Sequence, residues 1–184
     1  MDYNAIIDKY YGAADSKLKD LLIDHSQSVT QRALQIVFMH PEFDIDADFI
    51  EEAAMLHDIG ILRCNAPGIF CTGTEPYICH GIIGAEILRR EGYPEHARVC
   101  ERHTGAGISR EEIAEQNLPL PDGDYLPETI EEKIICYADK FYSKSRPETE
   151  KTYEDALRSL AKFGEAGVER FKQWHDAFEP EKLK

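Results

Sequence analysis

Six residues of metal-ligand type, His25, His57, Asp58, His80, His103 and Asp139, fall on stretches whose helical spacing turns them toward apolar faces. His25 shares a stripe with Leu18, Leu22, Val29 and Ile36, and His57-Asp58 follows Phe49, Ile50, Ala53 and Ala54. His80 precedes Ile83 and Ile87, His103 follows Val99 and Cys100, and Asp139 lies with Ile135, Ala138 and Tyr142. Burying such groups without partners costs on the order of several kcal/mol each. A divalent cation removes that cost, because neutral imidazole and carboxylate are ligands that zinc, iron and manganese take. The chemistry this pattern points to is therefore metal binding. His96 shares the stripe of His103 and is an alternative ligand, whereas His40, beside Pro41, and His175, in an acidic and aromatic stretch, read as structural or solvent-facing.

The elements that must carry these residues read as helices throughout, and no stretch alternates polar and apolar residues long enough to argue for a sheet. The fold class is all-α. A first clear helix runs from Ser16 to Met39 and is broken at His40-Pro41. A second opens near Asp46 or Asp48, which can cap it, carries His57 and Asp58, and stops at Gly60. The segment Arg63 to Cys79, with Pro67, Gly68, Gly73 and Pro76, is too rich in breakers for a tight turn and is a candidate lid. Helices are expected over His80 to Glu91, Pro94 to His103 and Ser109 to Gln116, and another opening at Glu128 or Thr129 after a Pro-rich connection. The last helical region, Tyr153 to Phe178, contains Gly164 and Gly167 and can be two helices joined by a bend. With 184 residues, no repeat and no linker-like tract, the chain is expected to form one domain, with a motif core over about 18–146 and C-terminal helices over 152–178 packing on it.

Charge narrows the partners. The chain carries 21 Lys+Arg against 35 Asp+Glu, a net charge of −14. Such a surface repels the phosphate backbone of a nucleic-acid polymer and the anionic face of a membrane alike. No apolar run approaches the ~20 residues of a membrane span, and the first residues lack a basic and apolar leader, so a cytoplasmic location is expected. The five cysteines, Cys64, Cys71, Cys79, Cys100 and Cys136, include no C-x-x-C pair and read as reduced thiols. Cys100 and Cys136 sit on apolar faces and make poor nucleophiles.

The order His25, His57-Asp58, His80, His103, Asp139 resembles the HD-domain metal-dependent phosphohydrolases, with His57-Asp58-Ile59-Gly60 as the HDIG form of their motif. The resemblance spans roughly Leu18 to Arg146 and implies a helical bundle. Arg102-His103-Thr104-Gly105 and Ala138-Asp139-Lys140 are similar to segments of the small HD hydrolases that carry two metals, such as the symmetrical dinucleoside tetraphosphatases. Carried onto this chain, the resemblance implies that His25, His57 and Asp139 hold one ion, His80 and His103 hold a second, and Asp58 bridges them. It implies iron, manganese or another first-row metal. Two such ions ~3.5–4 Å apart bind a shared water and bring its pKa to about 7, presenting hydroxide to phosphorus.

The expected substrate is a small phosphate ester such as a nucleotide: a phosphomonoester, a phosphodiester or a dinucleoside polyphosphate. Cations beside the ligands would anchor its phosphate. Among Arg63, Arg102, Lys140, Lys144 and Arg146, the choice falls on Arg63 and Lys140 as catalytic residues together with Asp58, while Arg102 and Lys144 read as surface charges. Many relatives have a lysine directly after HDIG; Ile61 stands there in this chain, and Arg63 is the expected substitute. Tyr77, Tyr137, Phe141, Tyr142 and Trp174 are either core or stacking surfaces for a base. Two other functions share the ligand pattern: a di-iron oxygenase of the same fold, and a non-catalytic nucleotide-binding module.

Overall fold

In the computed structural model of the chain, residues 1–12, 16–146 and 149–179 are described. They form nine helices and one minimal hairpin: α1 Tyr3–Tyr11, α2 Ser16–Met39, α3 Ala47–Leu56, β1 Asn65–Ala66, β2 Cys71–Thr72, α4 His80–Arg90, α5 Pro94–Arg102, α6 Arg110–Gln116, α7 Ile130–Asp139, α8 Tyr153–Ala161 and α9 Glu165–Phe178. The fold is all-α. No helix among the described residues is long and apolar enough to cross a membrane.

Local chemistry sets most boundaries. The Asp46 carboxylate accepts from the amides of Asp48 and Phe49 and opens α3. Ser109 with Glu112, and Thr129 with Glu132, form reciprocal capping boxes at α6 and α7. Gly164, at φ +123°, turns the chain between α8 and α9, which resolves the C-terminal region into two helices.

Two apolar clusters flank the middle of the molecule. Val29, Ile36, Ile50, Ile134, Tyr137, Phe171 and Phe178 build one, with α9 laid against α7. Ile7, Tyr11, Leu22, Leu56, Ile61 and Leu88 build the other. Helix α2 belongs to both, and His25 lies on it between Leu22 of one cluster and Val29 of the other.

Four features depart from the pattern read in the sequence. Helix α1 is an addition: its Tyr11 hydroxyl donates to the Ile59 carbonyl at 2.9 Å, buried, and so ties the N-terminus to the motif turn. Helix α3 stops at Leu56 instead of reaching Gly60, and Ile59–Arg63 form a tight 3₁₀ turn. Gly60 is the reason that turn fits, because a Cβ there would lie 2.1 Å from the His80 carbonyl oxygen and 2.4 Å from the Gly84 amide. The segment 63–79 is organised as the β1–β2 hairpin with flanking 3₁₀ turns, paired Asn65 to Thr72 and Ala66 to Cys71. Helix α7 ends at Asp139, so Tyr142 follows it in a turn instead of extending its stripe.

Candidate metal centre

Five of the six metal-type residues stand at or just beyond a helix end, which lets side chains from separate helices converge without the helices colliding. His57 caps the C-terminus of α3 and Asp58 follows it, His80 is the first residue of α4, His103 caps α5, and Asp139 is the last residue of α7. His57 and Asp58 are thus split by the chain leaving the helix, where the sequence had suggested neighbours on one helix. His80 and His103 meet because α4 and α5 pack backbone to backbone; a Cβ on Gly81 would lie 2.5 Å from the Cys100 carbonyl oxygen.

All six side chains are buried. They form two overlapping groups that share Asp58: His25, His57, Asp58 and Asp139, and then Asp58, His80 and His103. Within each group the ligand-type atoms lie within 4.8 Å of one another. Asp58 Oδ2 faces His57 Nε2 at 3.0 Å and His25 Nε2 at 3.2 Å, while Oδ1 faces His103 Nε2 at 3.3 Å and His80 Nε2 at 3.4 Å. Asp139 Oδ1 lies 3.0 Å from His25 Nε2 and 3.6 Å from His57 Nε2.

The outward nitrogens explain how the rings are aimed. Nδ1 of His57, His80 and His103 lies 2.6, 2.7 and 2.7 Å from the carbonyl three residues earlier, of Ala54, Tyr77 and Cys100 respectively. A carbonyl only accepts, so each Nδ1 carries a proton and each Nε2 turns a lone pair or a second proton inward. Nε2 of His80 and of His103 are 3.0 Å apart. Two lone pairs at that distance repel unless a cation or proton lies between them.

Polar satisfaction fails in the same place. His57 Nε2 and both Asp58 oxygens are buried without an aligned hydrogen-bond partner, although charged atoms surround them. Orphaned buried groups on this scale are uncommon in a folded protein and call for a missing partner. A donor set of imidazole nitrogens and carboxylate oxygens, converging and unsatisfied, fits divalent first-row cations.

The electrostatics of the protein without ions are unusual. Burial resists a charge on His57, but the adjoining Asp58 carboxylate prevails and raises its pKa to about 10. Burial lowers His80 to about 3 and lowers His103 as well, so both are neutral ligands at pH 7. Burial also opposes ionisation of Asp58 and Asp139, yet His57 and Lys144 hold the first well below its ordinary value, and Lys140 with His25 does the same for the second. The cysteines are inert by comparison: burial pushes Cys136 and Cys64 up to about 12 and Cys71 to about 11.

Residues 22–143, more than half of the chain, match the HD domain family. The chain belongs to the HD-domain family. It is 41% identical over 128 residues to a tRNA (cytidine(56)-2'-O)-methyltransferase of Picrophilus torridus, which covers 69% of this chain and 33% of that protein. A protein of that name from Thermoplasma volcanium is 38% identical over 134 residues, 72% of this chain and 33% of the relative. An uncharacterized protein of Methanocaldococcus jannaschii is 39% identical over 121 residues, 64% of each chain. The chain thus spans a third of the length of the two methyltransferases and under two thirds of the third relative. No solved structure matches the chain. The family and the buried His/Asp cluster together fit a metal-dependent hydrolase.

In this HD domain the centre forms the floor of a cavity of about 760 Å³, on which His80, His103 and Asp139 open directly. Lys140 and Lys144 line the wall beside them, and Tyr77 and Tyr142 are the two candidate stacking aromatics that reach it. Tyr137, Phe141 and Trp174 belong to the core. Lys140 Nζ stands 3.6 Å from Asp139 Oδ2. Arg63 is not brought to the centre: its half-exposed side chain turns to Glu86 on α4 at 3.6 Å, because the turn after Gly60 carries it onto the outer face of that helix. His96 pairs with Glu52 at 3.2 Å, away from the cluster, and Arg102 is spent on the Leu126 carbonyl and Glu128. Lys144, which reads as a surface charge in the sequence, is instead largely buried beside the centre. Its Nζ lies 2.6 Å from Asp58 Oδ2, an ion pair out of hydrogen-bond alignment, and no helical period reveals it because it sits in the turn beyond α7.

Proposed function

We propose that this HD domain is a metal-dependent phosphohydrolase that acts on a small phosphate ester, a nucleotide being the class expected, through two divalent ions. The observation that carries the reading is the pair of buried ligand groups sharing Asp58, whose two oxygens and the neighbouring His57 Nε2 lack hydrogen-bond partners, at the floor of a cavity whose wall presents lysines. His25, His57 and Asp139 would hold one ion, His80 and His103 the second, with Asp58 between them. Divalent ions there supply a water of lowered pKa and offset negative charge on phosphoryl oxygens.

The chain's own groups do the rest. Asp58 keeps its two oxygens divided between the two groups, which fixes their spacing. Hydrogen bonds from Nδ1 to backbone carbonyls fix three of the four imidazoles, so little reorganisation is needed at the moment of reaction. Lys140, directed by Asp139, stands at the cavity wall where it can receive a phosphoryl oxygen. Tyr77, stacked on His80 with ring centroids 4.7 Å apart, walls the same space and keeps bulk water from one side.

The test is hydrolysis by the full chain reconstituted with Mn²⁺ or Fe²⁺, on phosphomonoesters, cyclic nucleotides and dinucleoside polyphosphates. Turnover abolished by chelation and by Asp58→Ala is the expected result. A metal-loaded protein that releases no phosphate or nucleotide from the panel, or one that instead consumes oxygen with a non-phosphorylated substrate, overturns the reading.

A further inference from the structure

Lys144 holds the oxygen that the first ligand group needs. Its Nζ lies 2.6 Å from Asp58 Oδ2, the same atom that His57 Nε2 approaches at 3.0 Å and His25 Nε2 at 3.2 Å. Lys140 differs: it sits on Asp139 Oδ2, whereas His25 and His57 use Oδ1 of that carboxylate, so Lys140 and an ion are not rivals. An ammonium and a divalent ion on one carboxylate oxygen repel each other.

The lysine also has somewhere to go. Its backbone is pinned in a turn where the Arg146 amide donates to the Ser143 carbonyl at 2.9 Å and the Lys151 amide to the Phe141 carbonyl at 2.7 Å. The flexible four-carbon stem is then the movable part, and it borders the cavity next to His80, His103 and Asp139. Tyr77, with its ring centroid 5.9 Å from Nζ, flanks the route.

We propose that Lys144 is a two-position positioning residue: it neutralises Asp58 while the centre lacks ions, and on metal loading it is displaced into the cavity, where it binds the phosphoryl group of the substrate. The first half rests on this geometry alone. The second rests also on the phosphohydrolase reading.

Two binding measurements separate the halves, with folding checked by circular dichroism. Mn²⁺ is titrated into metal-free wild type and Lys144→Met, and inorganic phosphate is then titrated into each Mn²⁺-loaded protein; Lys144→Gln replaces the methionine variant if that does not fold. The expected result is Mn²⁺ bound about tenfold or more tightly by the variant and phosphate bound about tenfold more weakly, each tenfold being ~1.4 kcal/mol. Equal Mn²⁺ affinity in the two proteins overturns the competition, whatever phosphate does. Tighter Mn²⁺ with unchanged phosphate binding overturns the hand-off and leaves Lys144 a counter-ion only. If loaded wild type binds no phosphate, the phosphohydrolase reading itself fails, and the hand-off with it.

Discussion

Replacing Asp58 by Asn in the metal-free protein tests whether the buried charges hold one another in place. Asn keeps the volume and removes the charge, so packing is nearly conserved while Lys144 loses the carboxylate 2.6 Å away. Breaking a buried ion pair by removing one member costs about 3–5 kcal/mol, because the other charge stays behind. Lys144 borders the cavity and its side chain is 13% exposed, so the lower end, about 3 kcal/mol, applies. For a chain of this size that is a fall in Tm of roughly 6–12 °C. His57, left without that carboxylate, releases its proton and loses its pairing as well, so this loss is a lower bound. Removing the stranded charge too, in Asp58→Asn/Lys144→Met, should restore about 2 kcal/mol, which a double-mutant cycle reads as coupling. The assay is calorimetric melting of chelator-dialysed wild type, both single variants and the double variant at pH 7. A double variant that melts no higher than Asp58→Asn refutes the account.

Further consequences follow from the same geometry. Because His57 is raised from 6.5 to about 10 in the folded protein, its pairing stabilises the metal-free fold fully below pH 6.5 and is lost as pH rises toward 10; chemical denaturation of chelated protein between pH 6 and 10 should show stability falling across that window. A cation at the centre must displace that proton, so Mn²⁺ binding at pH 8 should release about one proton per chain from His57, and calorimetry in buffers of different ionisation enthalpy should find it. Zero release would mean His57 is already neutral. Gly60→Ala forces a Cβ against backbone of α4, so urea unfolding should show a loss of about 3 kcal/mol or more, with metal affinity falling alongside. Lys140→Met should lower kcat/KM on any substrate found by about 10²-fold, while Arg63→Met, remote and half-exposed, should leave it within about twofold and stability within ~0.5 kcal/mol.

Much of the centre was legible because ionisable residues on apolar stripes violate the burial rule that governs their neighbours. His25 between Leu22 and Val29 is such a violation, and the same logic reached Asp139. Helix starts were legible where Asp46, Ser109 and Thr129 supply caps. Periodicity says nothing once a helix ends, and there the reading lost its hold. Asp58, Arg63 and Lys144 all lie in turns, where direction depends on tertiary contacts such as Gly60 against α4. Arg63 was favoured by closeness in sequence to His57-Asp58, yet a few residues of 3₁₀ turn carry it to Glu86. Helix α1 escaped because Tyr3–Tyr11 is short and aromatic, and its reason to be helical is the distant Ile59 carbonyl that Tyr11 reaches.

A net charge of −14 first looks hostile to any phosphorylated ligand. The centre changes the sign of the problem locally. Its two carboxylates, Asp58 and Asp139, already face Lys144, Lys140 and a proton on His57, so the metal-free floor is not a negative hole. Adding two divalent ions while losing one proton would leave a strong positive surplus at the base of a single cavity, with both lysines beside it. A small anion that fits within about 760 Å³ would meet that surplus, whereas a long polyanion would have to lie across the acidic exterior as well. On the proposed phosphohydrolase reading, selection of short phosphorylated ligands over polymers would follow from where the charge is buried more than from how much there is.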